Sequence, residues 1–420
     1  MTNEAAADIL RELDFERLAG TAGEERARDI LVGRLRALGL KPELEPFEVT
    51  GFAPGSARVE AGGTSFLLVP HGLVSDGDIG GELVFLENPE VLAFNTGACR
   101  GKILLVVGPS SRTQDLAWEG GVAALIDVAG PHREISSASH RQKRVADGKA
   151  VPSFTISYDD AESLALHAGS RARVQVRQEV AKTTAWNIVT TLGTPRRDEN
   201  LLYLTAHYDS VARSRGAVDN AAGVAAALAC AERFAERPPE RELRLVLFSA
   251  EELGLRGSFA HVKARADELR ARGRLVLNLD LGGDPIGVDS VIVVGTRDLL
   301  GYAAGLLREN GMAFRDALDT YSSDCMPFAA LEIPSINLAR TDGRGCHFVH
   351  TPGDVTANIT AAGVAHTSRA ATVLLERMLG AEIFPVRREI DGSLREKIEK
   401  YLWNQTLEKP ELSWTEAYRK

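Results

Sequence analysis

The sequence predicts an α/β protein: a doubly wound, mainly parallel sheet with helices on both faces, plus an inserted smaller, mostly β domain. Three observations predict this. From Trp186 onward, strand-length apolar runs alternate with helix-length stretches, the pattern of a mainly parallel sheet. Between about Thr64 and Val180 the apolar runs are short and punctuated by Gly and Pro, on a strand-like scale. The chain has 420 residues, more than one ordinary hydrophobic core organises. The expected division is 1–63 for the first part of the α/β body, 64–180 for the insertion, 181–386 for the rest of the body and 387–420 for a C-terminal tail.

Composition narrows the class of protein. With 44% hydrophobic and 25% charged residues the chain is neither disordered nor a disulfide scaffold. A net charge of −9 without any Lys/Arg-rich block argues against nucleic acid as a partner, because phosphate binding needs concentrated positive charge. Small or peptide substrates fit better. Residues 1–18 alternate charge with short apolar steps and lack the apolar core of a secretory signal, so the expected location is cytoplasmic. No stretch approaches the roughly 20 apolar residues of a membrane span. Cys99, Cys230, Cys325 and Cys346 are scattered without a CxxC pair, which reads as four reduced thiols.

Taken in order, the first clear element is a helix over 21–40. Thr21 and Glu24 fit a capping box, Ile30, Leu31, Leu35 and Leu38 share a face, and Gly39 suits the C-cap. Strand-like runs follow at 81–85, 102–107, 123–128 and 154–157. In the body, strands are readable at 201–206, 243–249, 274–279 and 290–294, and helices at 221–236 and 258–272. The tail carries Tyr401, Trp403, Trp414 and Tyr418. Terminal aromatics of this kind dock onto the body or onto another subunit, which leaves room for a homodimer.

Ligands of open α/β sheets collect at the carboxyl ends of strands, and the polar clusters fall there. His207-Tyr208-Asp209 follows the strand 201–206, Glu251-Glu252 follows 243–249, and Asp280 closes 274–279. Asp219 opens a helix, and His350 lies in the turn-rich His350-Thr351-Pro352-Gly353-Asp354. His207, Asp219, one of the two glutamates, Asp280 and His350 give two imidazoles and three carboxylates. Such a set suits zinc, and two ions about 3.5 Å apart need a bridging carboxylate. Asp209 is placed to accept the other ring N–H of His207 and fix its tautomer. Of the adjacent glutamates, one can bind metal while the other faces water as general base. Each residue alone has a plainer reading, Asp209 as a turn residue and Asp354 as a cap; their coincidence at successive strand ends tells against that for the set.

At this point the sequence resembles the dizinc aminopeptidase family that includes bacterial leucyl-type aminopeptidases and glutamate carboxypeptidase-like zinc exopeptidases. The resemblance runs through His207-Tyr208-Asp209-Ser210, Gly216 to Val224, Phe248 to Ser258, Asn278-Leu279-Asp280 and His350 to Asp354, and covers roughly 185–380. The segment Gly101 to Val106, then Gly120 to Ile126 and Val151-Pro152-Ser153, resembles a protease-associated domain. The resemblance implies a zinc-exopeptidase fold and two zinc ions per chain. It implies that His207 and Asp280 hold one ion, Glu252 and His350 the other, and Asp219 both. It further implies Glu251 as general base toward a water bridging the two ions, Asp209 orienting His207, and a cis peptide between Asp219 and Asn220.

The departures concern substrate. Where the family commonly has Ser-Asp-His before Pro-Phe, this chain has Ser323-Asp324-Cys325-Met326-Pro327-Phe328, losing an imidazole. Tyr321 sits near the place of an oxyanion-stabilising tyrosine in some relatives, with a loop aromatic as the plainer reading. Val349 precedes His350 where many relatives have Tyr. The expected activity is a metallo-aminopeptidase acting on peptide N-termini. The alternatives are a carboxypeptidase or dipeptidase, in which Arg340 or Arg344 grips the substrate carboxylate, and a non-catalytic binding protein on the same scaffold.

Overall fold

The computed structural model describes residues 3–53, 55–93, 96–131, 133–137 and 142–414. Two compact units are present. The larger comprises Met1–Val49, Thr184–Val349 and Gly353–Lys420, and the smaller Thr50–Thr183 with His350–Pro352.

Among the described residues fifteen strands form two sheets. The larger unit is built on β1 (Glu43–Phe52), β9 (Val180–Leu192), β10 (Leu201–His207), β11 (Glu242–Phe248), β12 (Gly273–Leu279), β13 (Val288–Val294), β14 (Arg315–Leu318) and β15 (Ser335–Thr341). Their order is β1-β9-β11-β10-β12-β15-β13-β14. The pairs β10–β11, β10–β12 and β12–β15 are parallel, as is β13–β14 at the edge, while β9–β11 and β13–β15 are antiparallel. Parallel register places His207 opposite Phe248. Three neighbouring strands therefore end at one rim, and the chain leaves each of them into a polar loop.

The central strands are apolar on both sides, as a sheet covered on both faces requires. Leu202, Leu204 and Ala206 of β10 join one core with Leu31 and Leu35 of helix Ala22–Ala37, Val224 and Leu228 of helix Ala222–Glu236, and Leu374 and Leu375 of helix Ala361–Gly380. Leu201 and Tyr203 face the opposite core, with Val262, Leu269 and the Leu394, Ile398 and Leu402 stripe of helix Gly392–Thr406. Burying each such side chain contributes about 1.5–3 kcal/mol, so both helical layers are held mainly by the sheet. Gly223 permits closeness at the entry to Ala222–Glu236: a Cβ there would lie 2.2 Å from Asn220 Oδ1 and 2.7 Å from the Leu279 carbonyl.

Some local expectations change. Thr21 precedes the helix Ala22–Ala37, yet its side chain makes no capping bond; the hydroxyl donates to the Leu18 carbonyl instead. The capping box fails because Glu24 is needed elsewhere. Fully buried, it accepts from the Tyr208 hydroxyl at 2.5 Å and the Trp186 N–H at 3.3 Å. The helix read over 258–272 is two, Arg256–Ala264 and Ala266–Arg272. Arg265 leaves helical geometry between them, with its Nε donating to Glu45 at 2.7 Å. In the tail, Trp414 lies against Arg395, and Tyr418 falls outside the described residues.

The smaller unit is a closed barrel of β2 (Ser56–Ala61), β3 (Thr64–Pro70), β4 (Gly77–Leu86), β5 (Ile103–Val106), β6 (Ala124–Val128), β7 (Ser153–Ile156) and β8 (Arg171–Arg177), in the order β2-β3-β7-β6-β5-β4-β8. It begins before Thr64 because β2 pairs with both β3 and β8. Val59, Phe66, Leu83, Ile103, Leu105 and Ile126 fill its interior. No helix among the described residues is long and apolar enough to cross a membrane.

Two tests follow from this packing. Gly33 is exposed inside a helix with nothing near a prospective Cβ, so Gly33→Ala should raise unfolding free energy by about 1 kcal/mol, whereas Gly223→Ala should lower it by about 1–3 kcal/mol in urea titrations. In the barrel, burial pushes the Asp127 carboxyl up to about 6. A carboxyl raised above its unfolded value contributes stability at low pH that is lost as pH rises through the folded pKa. The advantage of Asp127→Asn over wild type should therefore grow between pH 4 and pH 7.5; an advantage that shrinks over that window would refute this.

Candidate metal centre

Parallel strand ends explain how residues distant in sequence meet. His207 is the last residue of β10, Glu251 and Glu252 follow β11 by three and four positions, and Asp280 directly follows β12. Asp219 sits in the one-turn element Ala217–Ala221 before helix Ala222–Glu236, and its bond to Asn220 is a cis peptide.

His207 is the focus. Its Nε2 lies 3.0 Å from Asp219 Oδ1 and 3.3 Å from Asp280 Oδ1. Ligand atoms of His207, Asp219 and Asp280 all fall within 4.8 Å of one another, and so do those of His207, Glu251 and Glu252. Asp209 organises this arrangement from behind. It is fully buried, its Oδ1 accepts from the Glu251 N–H at 3.1 Å, and its Oδ2 accepts from the Glu252 N–H at 3.3 Å. The same Oδ1 stands 3.5 Å from Nδ1 of His207. A proton kept on Nδ1 leaves the Nε2 lone pair facing Asp219 and Asp280.

The electrostatics fit a cation. Burial alone disfavours a charged His207, yet the carboxylates of Asp209, Asp219 and Asp280 outweigh it and hold the imidazole well above its usual range. Glu251 is raised well above the ordinary carboxylate range by burial; His207 opposes the shift, and the charges of Glu252, Asp324 and Asp280 add to it. Buried carboxylates crowded on one imidazole repel each other unless positive charge joins them. Oxygen and imidazole donors of this kind suit zinc.

Further groups shape the loops. Asp354 is no ligand in this arrangement: its two oxygens accept from the Val218 and Asp219 N–H groups at 2.7 and 3.2 Å, holding the turn that carries Asp219. Arg17 is fully buried, and its guanidinium donates to the carbonyls of Leu13, Phe15, Tyr208, Arg215 and Gly216. It pins both ends of the 208–216 loop and brings positive charge toward Asp209, Asp354 and Asp219. Asp324, also fully buried, adds negative charge beside Glu251. No local motif announces Arg17; Asp354 and Asp324 stand inside the quoted motifs, but their partners lie far away in sequence.

The remaining predicted residues separate. Tyr321 donates from its hydroxyl to the Asp280 carbonyl at 3.1 Å, which places it at the centre. Cys325 is fully buried beneath it, with Sγ 3.7 Å from the Tyr321 carbonyl. Arg340 is a correction: 5% exposed, it is committed to the Asp284 carbonyl at 2.7 Å and to Asp289 at 2.8 Å, and so is a buried strut. Arg344 is exposed. His350, at φ 65°, accepts through its carbonyl from the Ser137 N–H at 2.7 Å; it belongs with Thr351 and Pro352 to the smaller unit, while Val349 and Gly353 belong to the larger.

Residues 187–375 match peptidase family M28. The chain is 25% identical over 307 residues to aminopeptidase YwaD of Bacillus subtilis, covering 69% of this chain and 63% of that protein. An aminopeptidase of Pseudomonas aeruginosa is also 25% identical, over 66% of this chain and 56% of its own. The chain thus spans less than two thirds of these relatives' length. In fold it is similar to a zinc aminopeptidase of Bacillus subtilis (TM-score 0.75, 21% identity, 94% of this chain and 99% of that one). It is likewise similar to a peptidase M28 precursor of Shewanella amazonensis (TM-score 0.78, 20% identity, 92% and 96%).

Because Arg17 carries five carbonyl contacts in a buried place, Arg17→Leu should strand them and lower unfolding free energy by about 3–5 kcal/mol. Denaturant titration reads the loss directly; a change below about 1 kcal/mol would mean the loop does not depend on it.

Proposed function

With residues 187–375 matching peptidase family M28, we propose that this chain is a zinc-dependent exopeptidase that releases residues from peptide N-termini. The observation that carries the reading is the convergence of Asp219 and Asp280 on Nε2 of His207, with Glu251 held beside them through the Asp209 carboxylate. A binding protein would not need a base so placed.

In this reading, as the resemblance implies, His207 and Asp280 would hold one zinc ion and Glu252 and His350 a second, with Asp219 available to both. Zinc, when bound, supplies a Lewis acid for the peptide carbonyl and eases ionisation of water. Glu251 takes the proton from the attacking water and returns it to the leaving amine; its raised affinity for protons suits both steps. Asp209 holds the His207 tautomer and the backbone under both glutamates, so that base and ligand keep their spacing. The surplus of carboxylate around His207 suits a substrate bearing a free α-ammonium group. We also read the barrel as a protease-associated domain, on the order of its strand motifs. The carboxypeptidase alternative loses Arg340, whose guanidinium is occupied.

Purified protein should carry about two zinc equivalents per chain, read by elemental analysis. Glu251→Gln should keep that content while hydrolysis of leucyl p-nitroanilide falls by about 10²–10⁴-fold. Wild-type turnover in this variant would remove Glu251 from the mechanism. Cleavage of N-acetylated peptides as fast as free ones would replace the aminopeptidase by the alternative.

A further inference from the structure

Helix Gly392–Thr406 lies beyond the segment matched to the family, yet it packs on both loops that frame the base. Tyr401 and Gln405 are one turn apart and share a face. The Tyr401 hydroxyl is 2.9 Å from Ser322 Oγ, next to Tyr321, whose own hydroxyl reaches the Asp280 carbonyl. Gln405 meets the other loop: a Cβ on Gly254 would lie 3.5 Å from its Oε1, and Gly254 N–H donates to the Glu251 carbonyl at 2.8 Å. Tyr401 packs against the buried cluster that includes Leu255, Cys325, Met326 and Phe328. Burial pushes its phenol up, and the nearby Glu251 charge pushes it further.

The helix therefore ties the 251–255 loop to the 321–326 loop, with an aromatic ring at the join. Leu394, Ile398 and Leu402, buried on the body side, fix the helix axis, so the ring has little freedom to retreat. Cys325, a small side chain, is fully buried in the same cluster that Tyr401 packs against.

We propose that Tyr401 is a specificity-determining residue: with Gln405 it closes the approach to Glu251 between the two loops and limits the size of the substrate's terminal side chain. This rests on the exopeptidase reading. It predicts a preference for small N-terminal residues, set by a segment outside the family's common core.

The test uses the zinc-loaded full chain with alanyl and phenylalanyl p-nitroanilides. Tyr401→Ala should raise the phenylalanyl-to-alanyl ratio of kcat/KM by about tenfold or more, and Tyr401→Phe, which keeps the ring, should leave it within about twofold. An unchanged ratio in Tyr401→Ala, or an equal loss on both substrates, overturns the inference. Should Tyr401→Ala fail to fold, Tyr401→Trp must lower the same ratio, and a ratio that holds overturns the inference equally. Calorimetric binding of Ala-Gly and Phe-Gly to Glu251→Gln, with and without Tyr401→Ala, gives a readout independent of turnover. If wild type cleaves neither p-nitroanilide the exopeptidase reading fails, and the dipeptide binding ratio alone decides for or against Tyr401.

Discussion

The centre depends first on the Asp209 carboxylate. One group accepts the backbone N–H bonds of Glu251 and Glu252 and stands against the ring of His207. It thereby couples the end of β10 to the loop after β11, two strands already held in parallel register up to His207 and Phe248. Without it the glutamates would sit on a free loop, and the imidazole could turn. The cost is a buried negative charge placed among others, which demands compensation from the surrounding structure.

The positive charge comes from Arg17, and other groups hold the surrounding backbone. Arg17 donates to the Tyr208, Arg215 and Gly216 carbonyls and brings positive charge toward Asp209, while Asp354 spends its oxygens on the backbone amides of Val218 and Asp219. Burial and neighbouring acids push the Asp354 carboxyl up to about 7, though the two amides and Arg17 oppose the rise. Glu24, drawn out of its helix cap to meet Tyr208, fixes the residue between His207 and Asp209. Local helix chemistry is here overruled by a tertiary contact between residues 184 positions apart.

The same contrast explains what was legible in the sequence. Strands β10, β11 and β12 announced themselves by apolar runs ending in His, Glu or Asp, because a buried parallel strand leaves its polar chemistry to the terminus. Boundaries set by long-range partners did not. The break at Arg265 depends on Glu45, the failed cap at Thr21 on Tyr208, and the start of the barrel on pairing between β2 and β8. Arg340 looked like a substrate grip because it lies in the approach to His350, but β13 and β15 pair so that Asp289 lies opposite it and takes its charge.

The burial of Cys325 bears on proton traffic at this centre. Burial pushes its thiol up to about 12, and the charges of Asp324 and Asp280 act in the same direction, so at neutral pH it is neither a base nor a metal-binding thiolate. Tyr321 is likewise kept protonated, its hydroxyl committed to the Asp280 carbonyl. On this side of the centre burial raises two carboxyls near the His207 charge, Glu251 well above the ordinary range and Asp324 to about 7. The protonatable groups nearest His207 are therefore carboxyls, and the Asp209 carboxylate holds the backbone of one of them, Glu251, in place.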